Sequence, residues 1–250
     1  MPLLFACTTD VGRLRPNNED AVVVDAELGL AVLADGMGGY QAGEVASRLC
    51  CRTVHEHVRD TLSAIPPGEE ESLLRAAIQA ANARIYTDAL LHPAHHGMAT
   101  TVVAALVRGQ RLAVAHVGDS RLYRLRQGQL VQLTHDHTLV QEHVDAGLLP
   151  AAEARITGYR NLVTRAVGIS PALACDTTLQ TIEAGDTYLL CSDGLHDMLT
   201  DGEIAHLLCR QAAPAQVAEA LVAAANAAGG HDNIAVAVIH CAPDPAPRSL

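Results

Sequence analysis

The stretch LAVLADGMGGYQAGEVAS at residues 30–47 joins an apolar run to a glycine-rich turn and then to a helical pattern. The run at 30–34 predicts a strand, and the apolar spacing from Ala42 to Leu62 predicts a helix. Asp35 stands where this strand meets the turn. Such a turn can cradle a phosphate with backbone amides, or it can hold a cation with a carboxylate.

Three more predicted apolar strands carry an aspartate at one end. Asp193 follows TYLLCS, Asp119 follows AVAHVG, and Asp232 precedes NIAVAVI. For any single one of them, ordinary turn chemistry is the favoured interpretation. Together with NNED at 17–20 they favour a cation site, because clustered carboxylates are costly unless cations compensate them. Oxygen ligands without histidine or thiolate pairs suit Mg²⁺ or Mn²⁺ better than zinc.

The absence of lysine separates the two interpretations of the turn. All 17 basic residues are arginine, which excludes a Walker A loop, a kinase strand lysine and a Schiff-base lysine. A phosphate-cradling loop also disfavours a carboxylate at its entrance, where Asp35 stands. We therefore interpret the glycines as letting the backbone approach a metal, with the Gly36 carbonyl available as a ligand.

The predicted elements indicate an α+β protein in which strand meanders are separated by pairs of helices. These helices are expected at about 42–62, 69–91, 201–211 and 214–228. The alternation of a Rossmann fold is missing, so we predict two antiparallel β-sheets packed as a sandwich, flanked by helix pairs on both sides. We predict a single domain over residues 1–241 and a flexible, proline-rich tail at 242–250.

Bulk composition narrows the class of protein. Hydrophobic residues make up 49% and aromatic residues 2%, so the core is built from Leu, Val, Ile and Ala. The net charge of −11 argues against a general nucleic-acid binder. No run approaches the roughly 18 apolar residues of a membrane span, so we expect no membrane anchor. Seven cysteines without a C-x-x-C pair indicate reduced thiols and a cytoplasmic protein.

Eight stretches together resemble the metal-dependent Ser/Thr protein phosphatases of type 2C, in the bacterial branch of that family. They occur in the family's order and cover nearly the whole chain. The stretches are GRLRPNNED (12–20), ADGMGG (34–39), GMATTVV (97–103), AHVGDSRLY (115–123), LTHDHT (133–138), RNLVTRAVG (160–168), CSDGLHD (191–197) and GGHDNIAV (229–236).

The resemblance implies a metal centre of two Mn²⁺ or Mg²⁺ ions. Asp35 would bridge the two ions, and the Gly36 carbonyl would bind the second. Asp193 and Asp232 would complete the shell of the first ion.

It also implies the surroundings of that centre. Asp20 and Glu19 would act through bound waters, and Asp119 would help Asp193 to hold a third, weaker ion. Arg15 would bind the substrate phosphate. Met37 stands where eukaryotic relatives carry a histidine that is thought to protonate the leaving group.

The implied activity is hydrolysis of phosphoserine and phosphothreonine on proteins by a hydroxide that bridges the two ions, without a phosphoenzyme. The expected partners are phosphoproteins, namely a bacterial Ser/Thr kinase and its substrates, and we expect a monomer. A segment at about 137–170 matches the family's variable flap. Its arginines at 155, 160 and 165 either line the substrate cleft or form surface ion pairs.

Two alternative functions follow from the same sequence. A non-catalytic phosphatase-like module would bind a partner, but such modules usually lose metal carboxylates that are present here. A cysteine-dependent phosphatase would use the C-x5-R spacing of Cys7 and Arg13, which we attribute to chance. The histidines at 92, 95 and 96 could bind a metal, although a solvated loop is the favoured interpretation.

Overall fold

The computed structural model describes residues 1–38, 42–154, 157–159 and 161–243, which form eleven strands and seven α-helices. The strands are β1 (Leu3–Asp10), β2 (Asp20–Asp25), β3 (Leu30–Met37), β4 (Ala99–Thr100), β5 (Val102–Arg108), β6 (Arg111–Val117), β7 (Arg121–Arg126), β8 (Gln129–Gln132), β9 (Asp176–Thr181), β10 (Thr187–Cys191) and β11 (Ile234–Cys241). The helices are α1 (Ala42–Thr61), α2 (Glu70–Leu91), α3 (Leu139–Asp145), α4 (Ala151–Ala154), α5 (Asp193–His196), α6 (Asp201–Leu208) and α7 (Pro214–Ala227), and a 3₁₀ turn covers Pro93–His95.

The strands form two antiparallel sheets. One has the order β1-β11-β10-β7-β8, and the other has the order β2-β3-β5-β6-β9 with β4 paired to β3. Every pair in both sheets is antiparallel. The predicted α+β sandwich is confirmed.

Alternation along β3 explains why its sheet is covered on both faces. Leu30, Val32 and Ala34 pack in one apolar cluster with α1 and α2. Ala31 and Leu33 pack in a second cluster that lies between the two sheets. Because successive strand residues point to opposite faces, one continuous apolar run supplies both layers.

The same alternation along β11 completes the second half of the sandwich. Ile234, Val236 and Val238 pack with α6 and α7, whereas Ala235 and Ala237 face the other sheet. The three clusters therefore stack as helices, sheet, sheet and helices. Among the helices that the structure describes, none is both long enough and apolar enough to cross a membrane.

Some boundaries differ from those predicted. The strand predicted near 98–107 is split at Thr101 into β4 and β5, and the helix predicted to reach 211 ends at Leu208. The short helix α5 was not predicted, because its four residues are too few to show a helical period. The described residues end at 243, so most of the tail predicted at 242–250 lies outside them.

Candidate metal centre

Asp35 and Asp20 lie opposite each other in the β2–β3 pair. The backbone of Asp35 is fixed by its neighbours. Its N–H donates to Thr101 Oγ1 at 3.0 Å, and its carbonyl accepts from the Thr101 N–H and from Thr100 Oγ1, both at 2.8 Å. The break between β4 and β5 therefore holds the Asp35 backbone in place.

Gly36 packs directly against the start of α1. Its N–H donates to the Glu19 carbonyl at 3.1 Å. A Cβ at this position would collide with the Gly43 carbonyl and lie 2.6 Å from the Glu19 carbonyl oxygen. The glycine permits this close approach of backbones, which no larger residue allows.

The second Asp-Gly pair serves a similar packing purpose. Asp193 is the first residue of α5, and a Cβ on Gly194 would collide with the Asn233 carbonyl. The preceding Ser192 donates its hydroxyl to Asp20 Oδ2 at 2.7 Å and accepts from the Ala235 N–H at 2.9 Å. The β10 end is thus tied to both β2 and β11.

The Asn233 side chain fastens the loop between β1 and β2 to the same rim. Its Nδ2 donates to the carbonyls of Val11 and Asn17 at 2.9 and 2.8 Å, and its Oδ1 accepts from the Glu19 N–H at 2.8 Å. These bonds hold the loop that carries Arg15.

Arg15 and Asp232 form an ion pair in which Nη2 donates to Oδ2 at 2.6 Å. The Arg15 side chain is 55% exposed. Its pKa is raised by the hydrogen bond to Asp232 and by the charges of Asp193 and Asp35. The guanidinium is therefore the cation that faces the carboxylates.

Asp119 lies at the turn after β6 and is buried. Its carbonyl accepts from His196 Nε2 at 3.2 Å. The preceding Gly118 donates its N–H to His137 Nδ1 at 3.1 Å, and its carbonyl accepts from the His137 N–H at 3.0 Å. Two histidines thus support the turn that presents Asp119.

These strand ends and loops enclose a cavity of about 560 Å³. Seven of the eight predicted site residues line it: Arg15, Glu19, Asp35, Gly36, Asp119, Asp193 and Asp232. Asp20 does not line it and lies behind Asp35, bonded to Ser192. Met37 and residues 161–163 of the predicted flap also line the cavity. The residues predicted from the sequence therefore lie together around one cavity, except for Asp20, which lies behind Asp35.

The chain leaves these carboxylates poorly compensated. Burial, followed by the charges of Asp20 and other neighbouring carboxylates, raises the pKa of Asp35 well above its usual value. Burial and then Asp193 do the same to the pKa of Asp119. Burial also raises the pKa of Asp20 to about 8, and burial together with Asp232 raises the pKa of Asp193 to about 7. The cluster favours protons or other cations.

The donor set fits Mg²⁺ or Mn²⁺. Oδ1 of Asp20 and Oδ1 of Asp193 are buried without a hydrogen-bond partner among the described residues. No histidine or cysteine is among the residues described as lining the cavity. Hard, oxygen-only donors of this kind match the preference of Mg²⁺ and Mn²⁺.

Sequence reasoning missed the residues that support the aspartates, namely Thr101, Ser192 and Asn233. Each is a polar residue next to or opposite an Asp-bearing strand end, and that adjacency is the available signal.

Thr138 accepts from the Gln141 N–H at 3.3 Å and caps α3, whereas Asp136 pairs with Arg121 at 2.6 Å.

Cys7 and Arg165, two other residues considered in the sequence analysis, do not line the cavity. Cys7 lies within β1 opposite Ala237, and burial raises the pKa of its thiol, so it has no phosphate loop around it. Arg165 contacts Asp176 at 3.1 Å and does not line the cavity. Arg155, Arg160 and the end of the glycine-rich turn, residues 39–41, lie outside the described residues.

Residues 15–227 match the family described as protein phosphatase 2C. The chain belongs to the protein phosphatase 2C family. It is 36% identical to the serine/threonine phosphatase stp of Listeria monocytogenes over 234 residues, which cover 92% of this chain and 93% of that protein. It is 41% identical to the serine/threonine protein phosphatase PstP of Mycobacterium tuberculosis over 239 residues, covering 94% of this chain. The chain spans only 44% of the length of that PstP.

Solved structures agree with this membership. The crystal structure of M. tuberculosis PstP superimposes with a TM-score of 0.90 at 40% identity, covering 97% of this chain and 100% of that one. The catalytic domain of PstP, solved in complex with two manganese ions, gives a TM-score of 0.87 at 39% identity, covering 96% and 99%.

Proposed function

We propose that this chain is a Mn²⁺- or Mg²⁺-dependent protein serine/threonine phosphatase. One observation carries the proposal: seven residues predicted from the sequence line a single cavity, and five of them are carboxylates, one is an arginine and one is a glycine. The names of the bacterial relatives and the manganese complex of PstP support the substrate class and the metal.

The metal ions would be held by Asp35, Asp193, Asp232 and the Gly36 carbonyl. Asp119 would contribute to a third ion, and Glu19 and Asp20 would act through water. The two orphaned oxygens, Oδ1 of Asp20 and Oδ1 of Asp193, support this assignment, because buried carboxylate oxygens without donors are costly. Bound divalent cations would lower the pKa of a water nucleophile and offset the charge of a phosphate.

Arg15 would bind the phosphoryl oxygens of the substrate. A guanidinium presents two parallel donors that match a phosphate, and more than half of the Arg15 side chain is exposed toward incoming ligand. Its present partner is Asp232, so substrate phosphate would compete with that carboxylate for the same donors. Arg15 then orients the phosphate against the carboxylate rim.

The proton for the leaving alkoxide would come from water. Met37 lines the cavity at the place where the eukaryotic relatives carry histidine, and a thioether cannot supply a proton. The 560 Å³ cavity is large enough to admit water beside a phosphorylated side chain.

The organisation of the chain follows the same proposal. Residues 1–241 would form one catalytic domain, and the segment at 137–170 would be its flap. Leu162 supports this role, because it lines the cavity although 54% of it is exposed. Asn161 connects that segment to the residue that follows α5 by donating to Asp197 Oδ2 at 3.2 Å.

We also propose a setting for the enzyme: a monomer in the bacterial cytoplasm that opposes a Ser/Thr kinase by acting on that kinase and its phosphoprotein substrates. All seven cysteines are free thiols, which fits a reducing compartment. The relatives named above are bacterial.

The test is hydrolysis of p-nitrophenyl phosphate and of a phosphothreonine peptide by EDTA-treated protein, with and without added Mn²⁺. We expect activity only with Mn²⁺. Activity that is indifferent to EDTA and lost in Cys7→Ser would point to the cysteine mechanism instead. Tight Mn²⁺ binding by calorimetry without hydrolysis of either substrate would favour the non-catalytic module.

A further inference from the structure

A second group of metal-type ligands lies where α2 ends. Asp88 and His92 are four residues apart, so they share one face of the helix end. The 3₁₀ turn at Pro93–His95 then brings His95 back to the same carboxylate. His92 Nδ1 lies 3.4 Å from Asp88 Oδ1, and His95 Nδ1 hydrogen-bonds to that same oxygen. The two imidazole ring centres are 5.4 Å apart.

The three possible ligand atoms of this group lie close together. One atom from each residue lies within 4.8 Å of the other two. Two imidazole nitrogens and one carboxylate oxygen form the donor set that binds Zn²⁺, with water in the remaining position, whereas Mn²⁺ and Mg²⁺ prefer oxygen. We propose that Asp88, His92 and His95 form a zinc-type site separate from the carboxylate centre.

The exposure of these side chains suits a cation that arrives from solution. The His92 side chain is 57% exposed, and the side chains of His95 and Asp88 are 29% and 28% exposed. The carboxylate is therefore partly shielded, while the open side leaves space for water ligands. Zinc bound through Nδ1 would displace the hydrogen bonds that the two imidazoles make with Asp88, and each neutral ring would then carry its proton on Nε2.

A second histidine group in the structure has a different chemistry. His116 and His137 stack at 4.9 Å, and His137 Nε2 lies 3.3 Å from Asp176. His137 Nδ1 accepts from the Gly118 N–H, so the neutral ring carries its proton on Nε2, the atom that faces Asp176. Arg165 lies 3.2 Å from that nitrogen and opposes a further cation. This group is a hydrogen-bond network and not a metal site.

The proposed zinc site joins two parts of the fold. The His92 N–H donates to the Asp88 carbonyl at 3.0 Å, and the His95 carbonyl accepts from the N–H of the buried Met98 at 3.0 Å. Met98 leads directly into β4, which pairs with Gly36 and Met37 of β3. A cation bound by both helix and turn stabilises this connection, because it binds the folded chain and not the unfolded one.

The experiment measures zinc on tag-free protein with Mg²⁺ in large excess, so that Mg²⁺ competes at the carboxylate centre. Equilibrium dialysis against Zn²⁺ followed by elemental analysis gives zinc bound per chain. We expect the wild-type chain to retain one more zinc than His95→Ala or His92→Ala, with affinity at this site reduced at least about tenfold in each variant. His96→Ala, a change at the exposed neighbour, should bind zinc like the wild type.

Asp88→Asn keeps the shape of the carboxyl group and removes its charge, and it should also lose this zinc. Circular dichroism establishes that each variant is folded, and His92 is exposed enough for its variant to fold if His95→Ala does not. Equal zinc in the wild-type, His92→Ala and Asp88→Asn chains overturns the proposal and leaves only histidine–aspartate hydrogen bonds. Asp193→Asn should retain the zinc, so a failure of the phosphatase proposal is distinguishable from a failure here.

Discussion

Strand β10 carries a buried or half-buried aspartate just beyond each of its ends, and the two side chains have opposite electrostatic surroundings. Asp186, just before the strand, accepts two bonds from Arg126 at 2.7 Å, one from the Glu183 N–H at 2.8 Å and one from Tyr188 at 2.9 Å. Burial alone would raise the pKa of Asp186, but these donors hold it below its usual value.

Asp193, just after the same strand, has no comparable set of donors. Its Oδ1 is buried without a partner among the described residues, and its pKa is raised to about 7. Under the function proposed above, Asp186 serves the structure and Asp193 serves the chemistry. At one end Arg126 supplies the compensating cation, and at the other end a metal ion from solution would supply it.

The largest effect that this comparison predicts is on catalysis. Asp193→Asn should lower kcat/KM for p-nitrophenyl phosphate by about three orders of magnitude, the scale of losing a central electrostatic group. Asp186→Asn should keep its Mn²⁺-dependent activity, although its melting temperature falls. Comparable losses of activity in both variants would contradict the division between the two ends of β10.

The next effect is on stability. Arg126→Leu removes the cation from Asp186, whose side chain is 1% exposed, and should lower the free energy of unfolding by about 3 kcal/mol. Urea denaturation measures the change. The double variant Arg126→Leu with Asp186→Leu should recover part of the loss, because no uncompensated charge then stays buried. Mn²⁺ affinity, measured by calorimetry, should not change in either variant.

A smaller loss is expected at Arg15. Arg15→Lys keeps the positive charge but removes the paired donors, so kcat/KM should fall about tenfold. Arg13→Lys, two residues away and outside the cavity lining, is the matched control and should behave like the wild type. An Arg15→Lys enzyme with unchanged kcat/KM would show that the phosphate is held by other groups.

The smallest expected effect is on the pH dependence of stability. With pKa values of about 8 for Asp20 and about 7 for Asp193, the metal-free folded chain holds more protons than the unfolded chain above pH 4. Stability from these groups therefore falls as the pH rises toward 8. Below about pH 6.5 the lowered pKa values of His116, His137 and His196 act in the opposite direction.

We therefore expect Asp20 and Asp193 to cost chelator-treated protein about 1 kcal/mol of stability between pH 7 and pH 8, by urea titration. Saturating Mg²⁺ should flatten this slope. Asp186 contributes in a different window, because its lowered pKa means that its stabilisation is lost only below about pH 4. A stability that rises from pH 6.5 to pH 8 without metal would be inconsistent with a strained carboxylate cluster.

Much of this fold could be predicted because its signals are local. The runs 20–25 and 111–117 are strands with the predicted bounds, and α1 begins at the predicted Ala42. Asp35-Gly36 lies near the end of β3 and Asp193-Gly194 lies just beyond β10, and both aspartates line the cavity. Such features depend on neighbouring residues, which the sequence displays directly.

The parts of the fold and of the site that could not be predicted depend on contacts between residues that are far apart in the sequence. Arg126 and Asp186 are 60 residues apart, and no spacing rule joins them. The same holds for Asn233, which bonds to residues more than 200 positions earlier. The sequence left open whether Arg165 lines the substrate cleft or forms a surface ion pair. The position of Asp176 in the folded chain favours the ion pair.

The place of β11 in its sheet has a consequence for protein synthesis. This last strand lies between β1 and β10, and Asp232 and Asn233 immediately precede it. Until these residues leave the ribosome, the Arg15 loop has no anchor and the carboxylate rim is incomplete. A nascent chain therefore lacks the complete carboxylate rim, which forms only after Asp232 and Asn233 have been made.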